Sequence, residues 1–157
     1  MTQHDTPLVD AASRPHPARS DRSLYPVSGL ALARYGDMDA NGHVNNLALE
    51  SMHENARAEF NQHIFPGIYD PATRTIRLVT ANNVVHFLAE VHWPARIETG
   101  LGIGRLGRTS YVVSTALFVG DNCVGLCDTV LVMLGDDGPI PIPEQARDLL
   151  GTYLLRG

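Results

Sequence analysis

The chain has 157 residues, of which 44% are hydrophobic and 18% charged, and its formal net charge is −5. This composition is typical of one globular domain and excludes a disordered or fibrous protein. The acidic balance and the lack of a basic patch argue against nucleic acid as a partner. All 12 basic residues are arginine, which excludes Schiff-base chemistry on lysine and a lysine-containing phosphate loop.

Residues 1–24 contain three prolines and several serines and aspartates, and they show no helix or strand period. They predict a flexible N-terminal tail, followed by a single domain over residues 25–157. No apolar stretch of signal-peptide length follows the first residues, and no run approaches the ~18 apolar residues of a membrane helix. We therefore expect a cytoplasmic protein without a membrane partner.

The first half of the domain predicts a strand, a loop and a long helix. Residues 27–34 suit a strand, and residues 36–42, with two glycines and two aspartates, indicate a loop. Residues 44–65 contain neither glycine nor proline and predict a helix capped by Asn45 or Asn46. Its apolar positions recur every four residues: Ala48, Met52, Ala56 and Phe60, with Leu49 alongside. The positions expected on other faces are Glu50, Glu54, Arg57 and Asn61.

The second half is rich in valine, isoleucine, leucine and threonine. Four segments predict strands: residues 75–88, 96–106, 110–119 and 122–134. Two-residue connections at 107–108 and 120–121 indicate antiparallel hairpins, and residues 144–155 predict a short C-terminal helix. One long helix with this many antiparallel strands predicts an α+β fold in which the strands cover the helix.

The segment Asp37-x-Asp39-x-x-Gly42-His43-Val44-Asn45-Asn46 resembles the signature of the hot-dog-fold acyl-CoA thioesterases, in the group typified by 4-hydroxybenzoyl-CoA thioesterase. The later segments 54–57 (Glu-Asn-Ala-Arg) and 107–110 (Gly-Arg-Thr-Ser) resemble weaker patterns of the same family. The resemblance extends from about residue 27 to residue 150. It implies a curved antiparallel sheet wrapped around the long helix. It also implies a homodimer or dimer of dimers with active sites at the subunit interface, an acyl-CoA substrate and no cofactor.

Asp39 is the candidate catalytic carboxylate. Thioester hydrolysis needs a carboxylate that attacks the carbonyl or activates water, together with donors for the developing oxyanion. Asp39 offers the first, and the free N–H groups at the start of the following helix offer the second. Gly42 has no side chain and permits close approach of a substrate. Asp37 is expected to shape the loop.

His43 and Asn45 complete the predicted catalytic set, and Asn46 joins Gly42 among the substrate-binding residues. His43 lies between the carboxylate and the helix, and histidine is the residue type best suited to proton transfer at neutral pH. In the family an amide at this helix start polarises the carbonyl, and by position that amide falls at Asn45 or Asn46. The alternative roles for both asparagines, as helix caps, are compatible with this one.

Four further residues are predicted to bind the substrate: Thr109, Ser110, Arg105 and Arg108. The arginines flank a short turn and are candidates for phosphate contacts with CoA. No histidine, cysteine or aspartate cluster shows metal-ligand spacing, so no metal is expected. Cys123 and Cys127 are predicted to be small unpaired residues.

Three alternatives stay open at the level of sequence. Glu54 is a helix carboxylate of the type that another hot-dog subgroup uses, although an i,i+3 pair with Arg57 is the simpler role. A non-catalytic acyl-CoA-binding protein would keep the fold without the reaction. A hot-dog hydratase or dehydratase is disfavoured, because its aspartate–histidine pair lies in a different loop pattern.

Overall fold

The computed structural model describes residues 14–157 and consists of six strands and two α-helices. In chain order they are β1 (Val27–Leu32), α1 (Asn46–Ile64), β2 (Arg77–Phe87), β3 (Arg96–Leu106), β4 (Ser110–Val119), β5 (Asn122–Gly135), β6 (Gly138–Pro139) and α2 (Glu144–Gly151). Each predicted element is present with bounds that differ by a few residues. Among the described helices, none is long and apolar enough to cross a membrane.

The strands form one antiparallel sheet in the order β1-β3-β4-β5-β2, with β6 pairing beside β5. The hairpins β3–β4 and β4–β5 follow the predicted short connections. β2 follows α1 in the chain but pairs with β5, so β1 and β2 are the two edges. The sheet curls around α1, which confirms the α+β hot-dog fold that the resemblance implied.

α1 fills the concave side of the sheet along its whole length. Near its N-terminus Leu49 and Met52 pack in a cluster with Ile97 and Leu117. Near its C-terminus Phe60 and Ile64 join a larger cluster with residues from β3, β4 and β5. Burying an apolar side chain of this size contributes about 2 kcal/mol, so this face anchors the helix on the sheet.

The buried face of α1 is more polar than the sequence predicted. Arg57 and Asn61, expected on other faces, are 8% and 1% exposed, and His53 is 1% exposed. Burial of such groups is tolerable only when they are hydrogen-bonded. The sheet supplies the partners: His53 Nδ1 lies 2.7 Å from Thr115 Oγ1, Arg57 Nη1 donates to Thr129 Oγ1, and Asn61 Oδ1 accepts from Tyr111 Oη.

The N-terminal part of the described chain is not a free tail. Two 3-10 turns, Pro17–Ser20 and Arg22–Leu24, lie against the convex side of the sheet. Arg19 Nη1 bonds to Asp128 Oδ2 at 3.0 Å, and its Nε bonds to the hydroxyl of buried Tyr25. Residues 17–24, which belong to the predicted N-terminal tail, therefore contact the sheet. The part of that tail over residues 1–13 lies outside the described residues.

The predicted C-terminal helix ends at Gly151 rather than Leu155. After Thr152 the chain runs alongside β3, where Ile103 N–H donates to the carbonyl of Tyr153 and Leu155 N–H donates to the carbonyl of Ile103. Both bonds require extended backbone, which stops the helix there.

Candidate active site

The loop between β1 and α1 is held in shape by Asp37. This carboxylate is buried and accepts hydrogen bonds from the backbone N–H of Arg34 at 2.8 Å and from its guanidinium at 3.0 Å. The hydrogen bonds from Arg34 lower the pKa of Asp37 below its usual value. The carbonyl of Asp37 in turn accepts from both the backbone and the side-chain amide of Asn45. These contacts support the structural role expected for Asp37.

Asp39 lies in a tight turn two residues later. Its Oδ1 accepts from the backbone N–H groups of Asn41 at 2.9 Å and His43 at 3.1 Å. Its own N–H donates to the carbonyl of His43, and Gly42 closes the turn with a φ of 77°. That φ is the reason for a glycine at position 42, since a side chain there would be strained. Among residues 14–157, Asp39 Oδ2 has no hydrogen-bond partner and is free for chemistry.

The start of α1 lies immediately after this turn. Asn45 caps the helix by accepting from the N–H of Ala48 at 2.8 Å, and its carbonyl accepts from the N–H of Leu49. The N–H of Asn45 is engaged by the Asp37 carbonyl. Within the described residues, the first N–H groups left without a partner are therefore those of Asn46 and Leu47.

Asn46 borders a cleft of about 280 Å³. One wall holds Asp39, His43, Asn46 and Leu49, and the other wall is formed by Phe87 at the end of β2 and the segment 88–91 that follows it. Asp39 is exposed in the isolated chain. Larger grooves exist elsewhere, such as one of about 690 Å³ between β1 and α1, but the 280 Å³ cleft alone contains Asp39 among the described clefts.

Glu90, in the wall opposite Asp39, and His92, just after that wall, were not assigned to the site from the sequence. Glu90 Oε2 lies 3.2 Å from His43 Nε2 and 3.9 Å from His92 Nε2. The His92 side chain is 65% exposed in this chain. The pattern Glu-x-His in an extended segment was the available signal, but nothing in the sequence placed it beside His43.

The four further residues predicted to bind the substrate lie at the other end of the sheet. Arg105, Arg108, Thr109 and Ser110 surround the β3–β4 turn, where Met133 N–H donates to the carbonyl of Thr109. This end of the sheet packs on the C-terminal half of α1, whose 19 residues span about 28 Å. A single chain therefore does not bring these residues to Asp39.

Glu54 and the two cysteines are the remaining candidate residues. Glu54 is exposed, and its Oε1 lies 4.0 Å from Nη2 of the buried Arg57, the i,i+3 pair considered for it. Cys123 and Cys127 are both free, and burial raises the pKa of each thiol, so neither is an activated nucleophile.

The comparison with known proteins identifies the family of this chain. Residues 33–150 match the Thioesterase-like superfamily, and this range covers both the loop and α1. No curated protein matches the chain.

Several solved structures share the fold along nearly their whole length. A thioesterase from Thermus thermophilus, complexed with coenzyme A and Zn, is 27% identical with a TM-score of 0.73, covering 83% of this chain and 95% of its own. A thioesterase-superfamily protein from Jannaschia is 26% identical with a TM-score of 0.74, covering 89% and 91%. A protein from Pseudomonas aeruginosa is 26% identical with a TM-score of 0.76, covering 87% and 96%.

Proposed function

We propose that this chain, which belongs to the thioesterase-like superfamily, hydrolyses an acyl-CoA thioester to a free acid and a thiol, with Asp39 as the catalytic carboxylate. The observation that carries the proposal is the position of Asp39 in a cleft beside the N-terminus of α1. The bound coenzyme A of the similar Thermus thermophilus thioesterase supports CoA as the thiol. An acyl carrier protein remains the other candidate for the thiol.

The hydrogen bonds of Asp39 indicate different roles for its two carboxylate oxygens. Oδ1 is occupied by two backbone N–H groups, which fix the orientation of the carboxylate. Oδ2 is then the atom that attacks the thioester carbonyl or removes a proton from water. Fixing the carboxylate in advance lowers the entropic cost of reaching the reactive geometry.

The oxyanion that develops on the carbonyl needs donors close by. Of the two amides considered, the Asn45 N–H is already bonded to Asp37, so the geometry favours the N–H of Asn46, with that of Leu47 beside it. The helix N-terminus adds a favourable electrostatic field for negative charge. Asn45 acts in this scheme by fixing the helix start rather than by touching the carbonyl.

A second copy of the chain would complete the substrate site. β2 is an edge of 11 residues whose exposed side chains include Val79, Val84 and Phe87. A long apolar edge of this kind is a template for pairing with another strand. These features support the homodimer that the family resemblance implies.

Antiparallel pairing of two β2 strands about a two-fold axis would also explain the distance of the predicted substrate-binding residues from Asp39. The axis reverses the sheet, so the partner's β3–β4 turn would come to the end at which Asp39 lies. Three strand spacings, about 14 Å, would separate β2 from the partner's β4. Thr109, Ser110, Arg105 and Arg108 would then contact the CoA portion of a substrate whose thioester lies at Asp39 of the other subunit.

The decisive test is the Asp39→Asn variant, assayed with a panel of acyl-CoAs and a thiol-trapping dye. Asparagine retains an Oδ1 acceptor for the two loop N–H groups and removes only the basic oxygen. We expect kcat to fall by at least ~100-fold, the usual effect of losing a positioned acid–base group. Asp70→Asn is the matched control, because Asp70 Oδ1 also accepts a backbone N–H within a surface turn.

The alternatives predict different outcomes of that assay. Near-normal hydrolysis by Asp39→Asn would refute the assignment and direct attention to Glu54. Binding of acyl-CoA without hydrolysis by the wild type would indicate the non-catalytic alternative. Single-turnover hydrolysis in oxygen-18 water separates the two roles of Asp39, since label in its carboxylate would identify an anhydride intermediate.

A further inference from the structure

His43, Glu90 and His92 form a compact cluster at the mouth of the Asp39 cleft. One ligating atom from each residue lies within 4.8 Å of those from the other two. The two imidazole rings meet edge to face with centroids 4.7 Å apart. The loop before α1 contributes the first histidine, and the segment after β2 contributes the other two residues.

The backbone holds these three residues together independently of their side chains. His43 and His92 face each other in an isolated antiparallel bridge, and the next residue, Val44, donates its N–H to the carbonyl of Val91 at 2.7 Å. Val44 and Val91 are both buried, each 3% exposed. In extended chain the neighbours of a buried residue leave on the opposite side, so Glu90 and His92 both project outward from Val91.

The spacing within the cluster suits a tetrahedral metal ion. Ligands bound to zinc at about 2.0–2.1 Å in tetrahedral geometry lie about 3.3 Å from each other. The His43–Glu90 and His92–Glu90 distances are 3.2 and 3.9 Å. Rotation of the exposed Glu90 and His92 side chains would adjust the remaining spacing, since all three ligand atoms lie within 4.8 Å of one another.

The donor set identifies the class of ion. Two imidazoles and one carboxylate favour Zn²⁺ and similar divalent transition ions, whereas Mg²⁺ and Ca²⁺ prefer oxygen ligands. Three protein ligands leave one coordination position open, as in zinc sites that keep a water or bind an external ligand. A simple ion pair between Glu90 and one protonated histidine is the competing role, and it does not require the second histidine.

We propose that His43, Glu90 and His92 bind one Zn²⁺ ion per chain at the mouth of this cleft. The backbone N–H of His43 donates to Asp39 Oδ1, and both His43 and Glu90 border the cleft. An ion held there occupies the entrance and immobilises the wall of the cleft. If the proposed thioesterase function holds, Zn²⁺ therefore inhibits hydrolysis.

Binding is tested on the full chain without reference to activity. The protein is stripped with a chelator and titrated with ZnCl₂ by calorimetry, and Co²⁺ absorption in the visible range reports the coordination geometry. We expect one site with tetrahedral Co²⁺ bands that Zn²⁺ abolishes. His92→Ala should weaken Zn²⁺ binding by at least about 10-fold, since even outer-shell losses cost metal sites about 10- to 100-fold.

His63→Ala is the matched control. His63 is an exposed histidine at the far end of α1, close to Tyr153. Its removal should leave the Zn²⁺ affinity and the Co²⁺ spectrum unchanged. Equal Zn²⁺ affinity in the wild type and His92→Ala, or an equal loss in His63→Ala, would overturn the proposed site.

The effect of Zn²⁺ on thioester hydrolysis is measured in a separate experiment. Zn²⁺ should inhibit thioester hydrolysis by the wild type and lose potency by the same factor against His92→Ala. A chain that binds Zn²⁺ through His92 but hydrolyses no acyl-CoA would support the metal site while refuting the proposed function. Hydrolysis that Zn²⁺ leaves unchanged at saturation of the site would refute the inhibition.

Discussion

Acidification should destabilise this protein through His53, a buried imidazole in the middle of α1. Its side chain is 1% exposed, and its Nδ1 lies 2.7 Å from Thr115 Oγ1. Burial, helped by the positive charge of Arg57, lowers the pKa of His53 from 6.5 to about 4. The unfolded chain therefore takes up a proton near pH 6.5, whereas the folded chain resists protonation until about pH 4.

The sign and size of the effect follow from that difference. Because the folded-state pKa is the lower one, the stabilisation is present above pH 6.5 and is lost as the pH falls toward 4. At about 1.4 kcal/mol per pH unit, the full difference is about 3 kcal/mol. Between pH 7 and pH 5 the expected loss in the free energy of unfolding is about 2 kcal/mol.

Urea unfolding followed by circular dichroism at several pH values measures this loss. His53→Gln keeps a hydrogen-bonding side chain opposite Thr115 but does not titrate, so the wild type should lose about 2 kcal/mol more than this variant between pH 7 and pH 5. His63→Gln, an exposed change on the same helix, should retain the full pH dependence. Parallel pH profiles for the wild type and His53→Gln would show that His53 is not buried as a neutral group.

Two further substitutions test the junction before α1 and the convex face of the sheet. Asn45→Ala removes the cap on the Ala48 N–H and should lower the free energy of unfolding by about 1 kcal/mol. Asn46→Ala, a change one residue further along the chain, should not. Denaturant midpoints measure both variants. Gly100→Ala would place a Cβ 2.8 Å from the ring of Tyr25. We expect it to lower the thermal midpoint through an overpacking cost of about 1–3 kcal/mol, with Gly151→Ala, which meets open space, as its control.

The elements that the sequence predicted well are those determined by neighbouring residues. The cap at Asn45 and the end of α1 before Pro66 depend on contacts within four residues. The β3–β4 and β4–β5 hairpins are likewise defined by their short turns. Such local features can be predicted from one sequence, because they do not depend on the position of the rest of the chain.

The buried face of α1 shows where that reasoning fails. An apolar period placed Arg57 and Asn61 toward water, because a charged or amide side chain is usually exposed. Their burial depends on Thr129 and Tyr111, which lie 72 and 50 residues away in the chain. A helix pattern in the sequence cannot reveal a hydrogen-bond partner on a strand whose position relative to the helix is unknown.

The candidate site likewise has one part that could be predicted from the sequence and one part that could not. Asp39, Gly42, His43 and Asn45 are close in sequence, and a single loop brings them together. The opposite wall at residues 87–91 reaches them only because β2 pairs with β5 and directs the following segment past Val44. The proposed metal-binding cluster was not predicted from the sequence for this reason, since His43 lies 47 residues before Glu90 and 49 before His92.

The exposure of Asp39 connects the chemistry to the assembly. A carboxylate that acts on a thioester benefits from the exclusion of bulk water, which strengthens the electrostatic interactions in the site. In the isolated chain Asp39 is open to solvent, and Phe87 at the end of β2, which lines the same cleft, is 44% exposed. Pairing of β2 with a second copy would cover that surface and enclose the cleft in one step. On this reasoning a charge such as Val84→Asp on the edge should disrupt hydrolysis and dimerisation together, because each catalytic centre would use both subunits.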